Sequence, residues 1–220
     1  MNSKHIFRAA LFDFDGVIMD TESQYSIFWG KQGKLYHPEI PHFDQKIKGQ
    51  TLIQIFDKYF TNQLDLQNRL TNELNDFEQS MNYSYIKGAE ELLKKLRING
   101  IHTALVTSSN AKKMDSVYQS HPELKEIFDE IITSERFVRS KPDPECFLLG
   151  ARLFHALPQE CVVFEDSFHG LAAGKAAGMK VIGLATTNPR PELKGKADYI
   201  VNDLSEVNMT VLNQLIESNF

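Results

Sequence analysis

The sequence predicts an α/β fold in which a Rossmann-like parallel sheet core carries an inserted helical cap. A short apolar run at residues 9–12 is typical of a buried strand. Residues 21 to about 85 then show no strand pattern and repeat apolar residues at helical spacing. From Gly88 onward strand and helix patterns alternate, which favours a parallel sheet with right-handed crossovers.

The inserted region is predicted to contain several helices joined by turns. Residues 51–60 and 64–77 have the helical spacing, and Gly33, Pro38 and Pro41 are expected to interrupt helices. We therefore assign residues 1–19 and 88–220 to the α/β core domain and residues 20–87 to a helical cap domain.

The core elements after Gly88 follow from their apolar patterns and turn residues. Strands are predicted at residues 101–106, 129–133, 161–165, 180–184 and 199–201, and helices at residues 89–99, 111–119, 144–154, 170–177 and 205–216. The helix at 170–177 is dense in glycine and alanine, which indicates close packing of that helix against the sheet.

Composition narrows the class of protein. A formal net charge of −5 gives no electrostatic basis for binding nucleic acid or a membrane surface. No apolar stretch approaches the ~18 residues needed to span a bilayer, and residues 1–5 lack the apolar region of a signal peptide. Cys146 and Cys161 are expected to be buried free thiols in a reducing compartment. We expect a cytoplasmic monomer or weak homodimer.

Residues 13–17, Asp-Phe-Asp-Gly-Val, follow the first predicted strand directly. Ligands of open α/β sheets bind at the carboxyl ends of the strands, and alternation along a strand points Asp13 and Asp15 to the same side. One carboxylate could attack an electrophile while the other handles a proton. Asp and Gly are also ordinary turn residues, so the pentapeptide alone fits either interpretation.

Three later segments favour the catalytic interpretation of residues 13–17. Residues 103–110 form an apolar strand that ends in hydroxyl side chains, residues 140–144 place Lys141 between turn residues, and residues 161–167 form an apolar strand that ends in acids. In order, the chain supplies a nucleophile, a hydroxyl, a cation and an acidic metal site.

With these four motifs the chain resembles the haloacid dehalogenase superfamily, and within it the β-phosphoglucomutase-like phosphatases. The resemblance covers essentially the whole chain and implies a helical cap over the active site. Asp13 is the candidate nucleophile and Asp15 the candidate general acid and base. Dehalogenases and transport ATPases of the superfamily lack an acid at the second position, so Asp15 favours phosphate monoester chemistry.

The remaining catalytic candidates act on the transferring phosphoryl group. Thr107 is expected to point its hydroxyl at it, and Lys141 to neutralise its charge and restrain Asp13. A helix expected to begin at Ser108 would offer free backbone N–H groups. We assign phosphate or substrate binding to Gly16, Ser108, Ser109, Asn110 and Lys48. Helix N-capping by residues 107–110 is the other interpretation, and both roles can hold together because capping aims those N–H groups.

Acidic oxygen ligands suit Mg²⁺, which we predict as the cofactor. By resemblance, Asp13 and Asp166 would bind it through their side chains and Asp15 through its backbone carbonyl. Glu165 would be either a direct ligand or a residue that supports the ligands.

The sequence favours a Mg²⁺-dependent phosphohydrolase that cleaves a small phosphorylated metabolite, of which a sugar phosphate is one candidate. The alternative is a β-phosphoglucomutase-type phosphomutase. In the mutases that the chain resembles, a His and an Arg of the cap serve the sugar bisphosphate; by alignment these positions are Tyr25 and Leu52. A catalytically silent binding protein on the same fold is a third possibility, which the complete set of catalytic side chains disfavours.

Overall fold

A parallel six-stranded sheet forms the centre of the structure, a computed structural model that describes residues 6–218. The strands are β1 (Ala9–Phe12), β2 (His102–Val106), β3 (Glu130–Ile132), β4 (Cys161–Glu165), β5 (Lys180–Leu184) and β6 (Tyr199–Val201). Their order is β3-β2-β1-β4-β5-β6. The predicted α/β fold is confirmed. Residues 1–5 and 219–220, which the sequence analysis assigned to the core domain, lie outside the described residues.

Within residues 6–218, five helices lie between β1 and β2 in the chain: four in the inserted segment, and a fifth directly before β2. The remaining helices follow β2. The first four are α1 (Glu22–Tyr36), α2 (Phe43–Lys46), α3 (Leu52–Tyr59) and α4 (Leu64–Gln79). The others are α5 (Ala89–Ile98), α6 (Ala111–Ser120), α7 (Leu124–Ile127), α8 (Glu145–Leu153), α9 (Phe168–Ala176), α10 (Arg190–Leu193) and α11 (Met209–Glu217). Within residues 6–218, none of the helices combines the length and the apolarity that crossing a membrane requires.

The register of the central strands brings the predicted motifs together. Phe12 of β1 pairs with Leu105 of β2 on one side and with Phe164 of β4 on the other. All four residues of β1 and all five of β4 are buried, because helices cover both faces of the sheet. The residues that follow β1, β2 and β4 therefore meet at one edge of the sheet.

The helices α1 to α4 share an apolar core of their own, in which aromatic rings predominate. Phe28 stacks on Phe77 with ring centroids 5.1 Å apart, and Trp29 meets Phe28 edge-on at 5.2 Å. Phe43 and Phe60 belong to the same cluster. The chain enters and leaves this helical segment at one place, since Met19 forms an antiparallel bridge with Tyr85. The domain boundaries at residues 19/20 and 87/88 stay predictions.

Two sequence expectations about the elements are wrong. Gly33 does not interrupt a helix: it lies inside α1, where a Cβ would stand 2.6 Å from the Cβ of Phe43, so the close packing of α2 on α1 requires glycine there. The last helix begins at Met209 and not at residue 205, because Asn208 caps it by accepting from the backbone N–H of Val211. The other predicted bounds in the core agree with the structure to within two residues. Cys146 and Cys161 are buried free thiols, as predicted.

Candidate active site

A cavity of about 1,140 Å³ opens where the carboxyl ends of β1, β2 and β4 face the helices α1, α3 and α4. Core residues that line it include Asp13, Asp15 and Asp166, and helical-segment residues include Glu22 and Lys48. The structure thus brings the four predicted motifs to one place. Large polar cavities at this edge of a parallel sheet are the usual location of a ligand site.

Lys141 is buried and holds two carboxylates together. Its ammonium group donates to Asp13 Oδ1 at 2.7 Å, to Glu165 Oε1 at 2.7 Å and to the carbonyl oxygen of Val106 at 3.1 Å. Burial alone opposes the charged ammonium, but Asp13 and Glu165 outweigh it and raise the pKa of Lys141 above its ordinary value. An ammonium group has three N–H donors, and all three are used here. Lys141 therefore holds Asp13 through a hydrogen bond, with no donor left over for a phosphate, and its catalytic role stays a prediction.

Asp13 lies at the end of β1, where its backbone N–H donates to the carbonyl oxygen of Phe164 at 3.0 Å. Burial raises the pKa of Asp13 to about 7, with Lys141 opposing that shift and Glu165 and Asp15 adding to it. A buried carboxylate crowded by other acids is an anionic centre that a cation would stabilise.

Glu165 is fully buried, and both of its carboxylate oxygens accept hydrogen bonds. While Oε1 accepts from Lys141, Oε2 accepts from the backbone N–H groups of Asp166 and Ser167 and from the Ser167 hydroxyl, each at 3.0 Å. The carboxylate fits closely under α9: a Cβ on Gly170 would stand 1.7 Å from Glu165 Oε1. Of the two roles that the sequence left open, this bonding favours support of the neighbouring ligands.

Asp166 has the features of a cation ligand. Its Oδ2 atom is buried and accepts no hydrogen bond from any residue between 6 and 218. Burial, with the nearby acids Glu22, Glu165 and Asp13, raises its pKa well above the ordinary value, although the neighbouring Thr187 hydroxyl opposes that shift. Oxygen atoms of Asp13, Glu165 and Asp166 all lie within 4.8 Å of one another. An unsatisfied carboxylate oxygen in a compact acidic cluster fits a hard cation such as Mg²⁺.

Gly16 shapes the space beside Asp166. Its backbone has φ +73°, and a Cβ would stand 2.1 Å from Asp166 Oδ2. The loop after β5 fixes both residues, since Thr186 donates to the carbonyl oxygen of Gly16 at 2.5 Å and Asn188 donates to that of Asp166 at 2.8 Å. Gly16 therefore shapes the candidate metal site, and Thr186 and Asn188 are supporting residues that sequence reasoning missed.

The carboxylate of Asp15 accepts hydrogen bonds from side chains in three segments of the chain. Thr21 donates to Oδ1 at 2.5 Å and Ser109 to Oδ2 at 3.1 Å. Lys113 donates to both oxygens, at 2.7 and 2.6 Å. The sequence analysis anticipated neither Thr21 nor Lys113 as a partner of Asp15. The signals available were the position of Thr21 just after the first motif and that of Lys113 in the first turn of the following helix.

The hydroxyl segment after β2 lies partly as expected. Thr107 is buried at the strand end, where its hydroxyl accepts from the backbone N–H of Ser109 at 3.0 Å. The helix does not begin at Ser108, because Asn110 is its N-cap and accepts from the backbone N–H of Lys113 at 2.8 Å. Capping is thus the observed role of the Asn110 side chain, the alternative that the sequence left open.

The loop before α3 meets the core across the cavity. Ser108 donates to the carbonyl oxygen of Gly49 at 3.1 Å. The Nδ1 atom of His169 lies 3.0 Å from the carbonyl oxygen of Lys48. The ammonium of Lys48 points to Glu22, 2.9 Å away, and both side chains are largely buried. Lys48 is therefore present at the cavity but is already paired with an acid.

Comparisons with known proteins agree on the kind of molecule. The model of the haloacid dehalogenase-like hydrolase family matches residues 10–184. Hexitol phosphatase A from Escherichia coli is 30% identical over 208 residues, which are 91% of this chain and 93% of that protein. A HAD hydrolase from Entamoeba histolytica has a crystal structure that is similar over 96% of this chain and all of that one, with a TM-score of 0.82 at 23% identity. The chain also matches a bifunctional riboflavin kinase/FMN phosphatase from Arabidopsis thaliana, 34% identical over 124 residues (56% of this chain), but spans only 33% of that longer protein.

Proposed function

We propose that this chain, which belongs to the haloacid dehalogenase-like hydrolase family and is a phosphatase of small phosphorylated metabolites, works by a Mg²⁺-dependent reaction. The reaction passes through an aspartyl-phosphate on Asp13. This agrees with the family predicted from the four motifs, including its β-phosphoglucomutase-like kind. The observation that carries the mechanism is the grouping of Asp13, Lys141 and Asp166 at the end of β1, with Asp15 on the same loop.

Asp13 is the proposed nucleophile. A carboxylate oxygen of Asp13 attacks phosphorus, the bond from phosphorus to the leaving oxygen breaks, and Asp15 donates a proton to that oxygen. A water molecule then attacks the phosphorus of the acyl phosphate and gives a proton to Asp15. The bond from phosphorus to the Asp13 oxygen breaks, which releases inorganic phosphate and regenerates the Asp13 carboxylate. Lys141 supports both steps because it holds Asp13 in place at 2.7 Å.

The residues around Asp166 support a Mg²⁺ site. Asp13 and Asp166 would hold the cation with their side chains and Asp15 with its backbone carbonyl, while Glu165 supports the loop from behind. When bound, Mg²⁺ neutralises phosphate charge and orients the phosphoryl group. Thr107 and the segment 108–109 would bind the other phosphate oxygens with hydroxyl and backbone N–H groups.

We propose that residues 20–87 act as a cap domain that selects the leaving group. The loop containing Lys48 and Gly49 reaches the core, and α3 follows from it with Thr51 as its capping residue. Gln54 of α3 donates to the carbonyl oxygen of Lys141 at 3.2 Å, a contact that supports this role for residues 20–87.

Two cap residues favour a phosphatase over a phosphomutase. A mutase must keep water from its phospho-enzyme until a sugar hydroxyl arrives, and the mutases that this chain resembles use a His and an Arg of the cap for the sugar bisphosphate. At those positions the phenol of Tyr25 donates to Glu78 at 2.7 Å, and Leu52 offers no charge. Lys48 does not replace the Arg, because it is paired with Glu22.

Hydrolysis of p-nitrophenyl phosphate tests this proposal. We expect turnover with added Mg²⁺, loss of turnover after exhaustive EDTA treatment and its return with Mg²⁺. Asp13→Asn is the matched control, since the amide is isosteric with the carboxylate but is a far weaker nucleophile. Turnover that survives complete removal of metal, or an Asp13→Asn variant within about tenfold of the wild type, would contradict the mechanism.

A further inference from the structure

Lys113 is a buried lysine that the reaction above does not use. It lies in the first turn of α6, and only 3% of its surface is exposed. Lys112, its neighbour on the same helix, is exposed. Lysine is almost never fully buried unless its charge is paired, so the position of Lys113 calls for a specific partner.

Asp15 is that partner. The ammonium of Lys113 lies 2.7 Å from Oδ1 and 2.6 Å from Oδ2 of Asp15, so one donor group spans both carboxylate oxygens. Thr21 and Ser109 each bind one oxygen only. A charged group that binds both oxygens restrains the rotation of the carboxyl group about its Cβ–Cγ bond more strongly than a neutral donor to one oxygen.

Aromatic rings from the core and the cap enclose the same ammonium. It lies 5.2 Å from the ring centroid of Phe14 in the core and 4.6 Å from that of Tyr25 on α1. Tyr25 is itself held by its hydrogen bond to Glu78 of α4. Lys113 therefore contacts the candidate acid, the core and helix α1 of the cap, and Tyr25 links this contact to α4. The position of Lys113 thus depends on the position of the cap.

We propose that Lys113 is a positioning residue that holds the carboxyl group of Asp15 in the orientation needed for proton transfer, with the Tyr25 ring of the cap closing over it. The proposal rests on the proposed function, because it assigns Asp15 the proton transfers. No proton passes to Lys113. A misplacement of the acid by about 1 Å costs on the order of 10²-fold in rate, so an effect of that size is within reach of this contact.

The test compares two substrates that differ in their need for a proton. Phenyl phosphate and p-nitrophenyl phosphate have similar shapes, but the nitrophenolate leaves with little help from an acid. Misplacement of Asp15 should therefore slow the hydrolysis of phenyl phosphate more than that of p-nitrophenyl phosphate. In Lys113→Met, the kcat/KM for p-nitrophenyl phosphate divided by that for phenyl phosphate should rise by about tenfold. Lys112→Met is the matched control and should keep the wild-type ratio.

A double-variant cycle separates positioning from a merely structural role. In an Asp15→Asn background the ratio is already high, and adding Lys113→Met should leave it unchanged, because Lys113 acts through Asp15. Lys113→Gln, which keeps a donor but not the charge, should lie between the wild type and Lys113→Met. It also carries the test if circular dichroism shows that Lys113→Met does not fold.

The outcomes distinguish the two proposals. A wild type that fails to hydrolyse either substrate with Mg²⁺ present refutes the proposed function. An active wild type whose Lys113 variants lose activity equally on both substrates, with the ratio unchanged, refutes the positioning role alone. The same holds if Lys113→Met raises the ratio further in the Asp15→Asn background.

Discussion

Replacing Glu165 by glutamine tests the central ion-pair network with a change of only one group. The carboxylate accepts one bond from Lys141 on Oε1 and three on Oε2, from Asp166, Ser167 and the Ser167 hydroxyl. An amide has one oxygen and one NH₂ group. Keeping its oxygen at the Oε2 position preserves three bonds, so the NH₂ group must then face the ammonium of Lys141.

This arrangement sets a donor against a donor in a buried position. Breaking a buried ion pair by removing one partner costs about 3–5 kcal/mol. Lys141 keeps two of its three acceptors, Asp13 and the Val106 carbonyl, so we take the lower end, about 3 kcal/mol. For a chain of 220 residues a loss of this size lowers Tm by roughly 6–12 °C.

Urea unfolding of Glu165→Gln and of the wild type, both in EDTA so that metal binding does not contribute, measures this difference. Glu126→Gln is the control, because that side chain is exposed and its change should stay within about 0.5 kcal/mol. A Glu165→Gln variant as stable as the Glu126→Gln control would refute the reasoning, since it would mean that Lys141 does not depend on Glu165.

Three further outcomes are expected. Asp166→Ala should weaken Mg²⁺ binding measured by calorimetry at least tenfold, because it removes the unsatisfied oxygen of the acidic cluster; unchanged affinity would place the metal elsewhere. Gly16→Ala should abolish phosphatase activity through the 2.1 Å approach to Asp166 and the strain at φ +73°, and an active variant would show that the loop adapts. With β-glucose 1-phosphate and catalytic glucose 1,6-bisphosphate, free phosphate should form faster than glucose 6-phosphate; the reverse would favour the mutase.

The sheet and its motifs were predictable from the sequence because each signal is local. The runs at 9–12 and 161–164 are short and wholly apolar, and each is followed directly by an acid, so both the strand and the functional edge are visible at once. Parallel pairing then brings the strand ends together without further information. The same logic explains why Asp13, Ser108 and Asp166 were identified and lie at one cavity.

The choice of partner for each charged side chain was not predictable. Lys112 and Lys113 are adjacent and chemically identical, and only the start of α6 after Asn110 decides which one is buried. Lys48 looks like a phosphate ligand in the sequence, but its partner Glu22 lies far away in the chain and is brought to it by the folding of the cap. Such pairings depend on tertiary packing, which no local pattern records.

The charges around Asp13, the proposed nucleophile, support the proposed metal ion. Within residues 6–218, the ammonium groups that bond to Asp13, Asp15, Glu165 and Asp166 are those of Lys113 and Lys141. Four carboxyl groups thus meet two ammonium groups, and the acids are in excess. A phosphate ester would bring further negative charge into a buried space, where like charges repel strongly. With Lys141 fully bonded, the unsatisfied oxygen of Asp166 is the place at which a cation can correct the excess. The same excess opposes a second phosphate in the cavity, so electrostatics favours a substrate with one phosphate over a sugar bisphosphate.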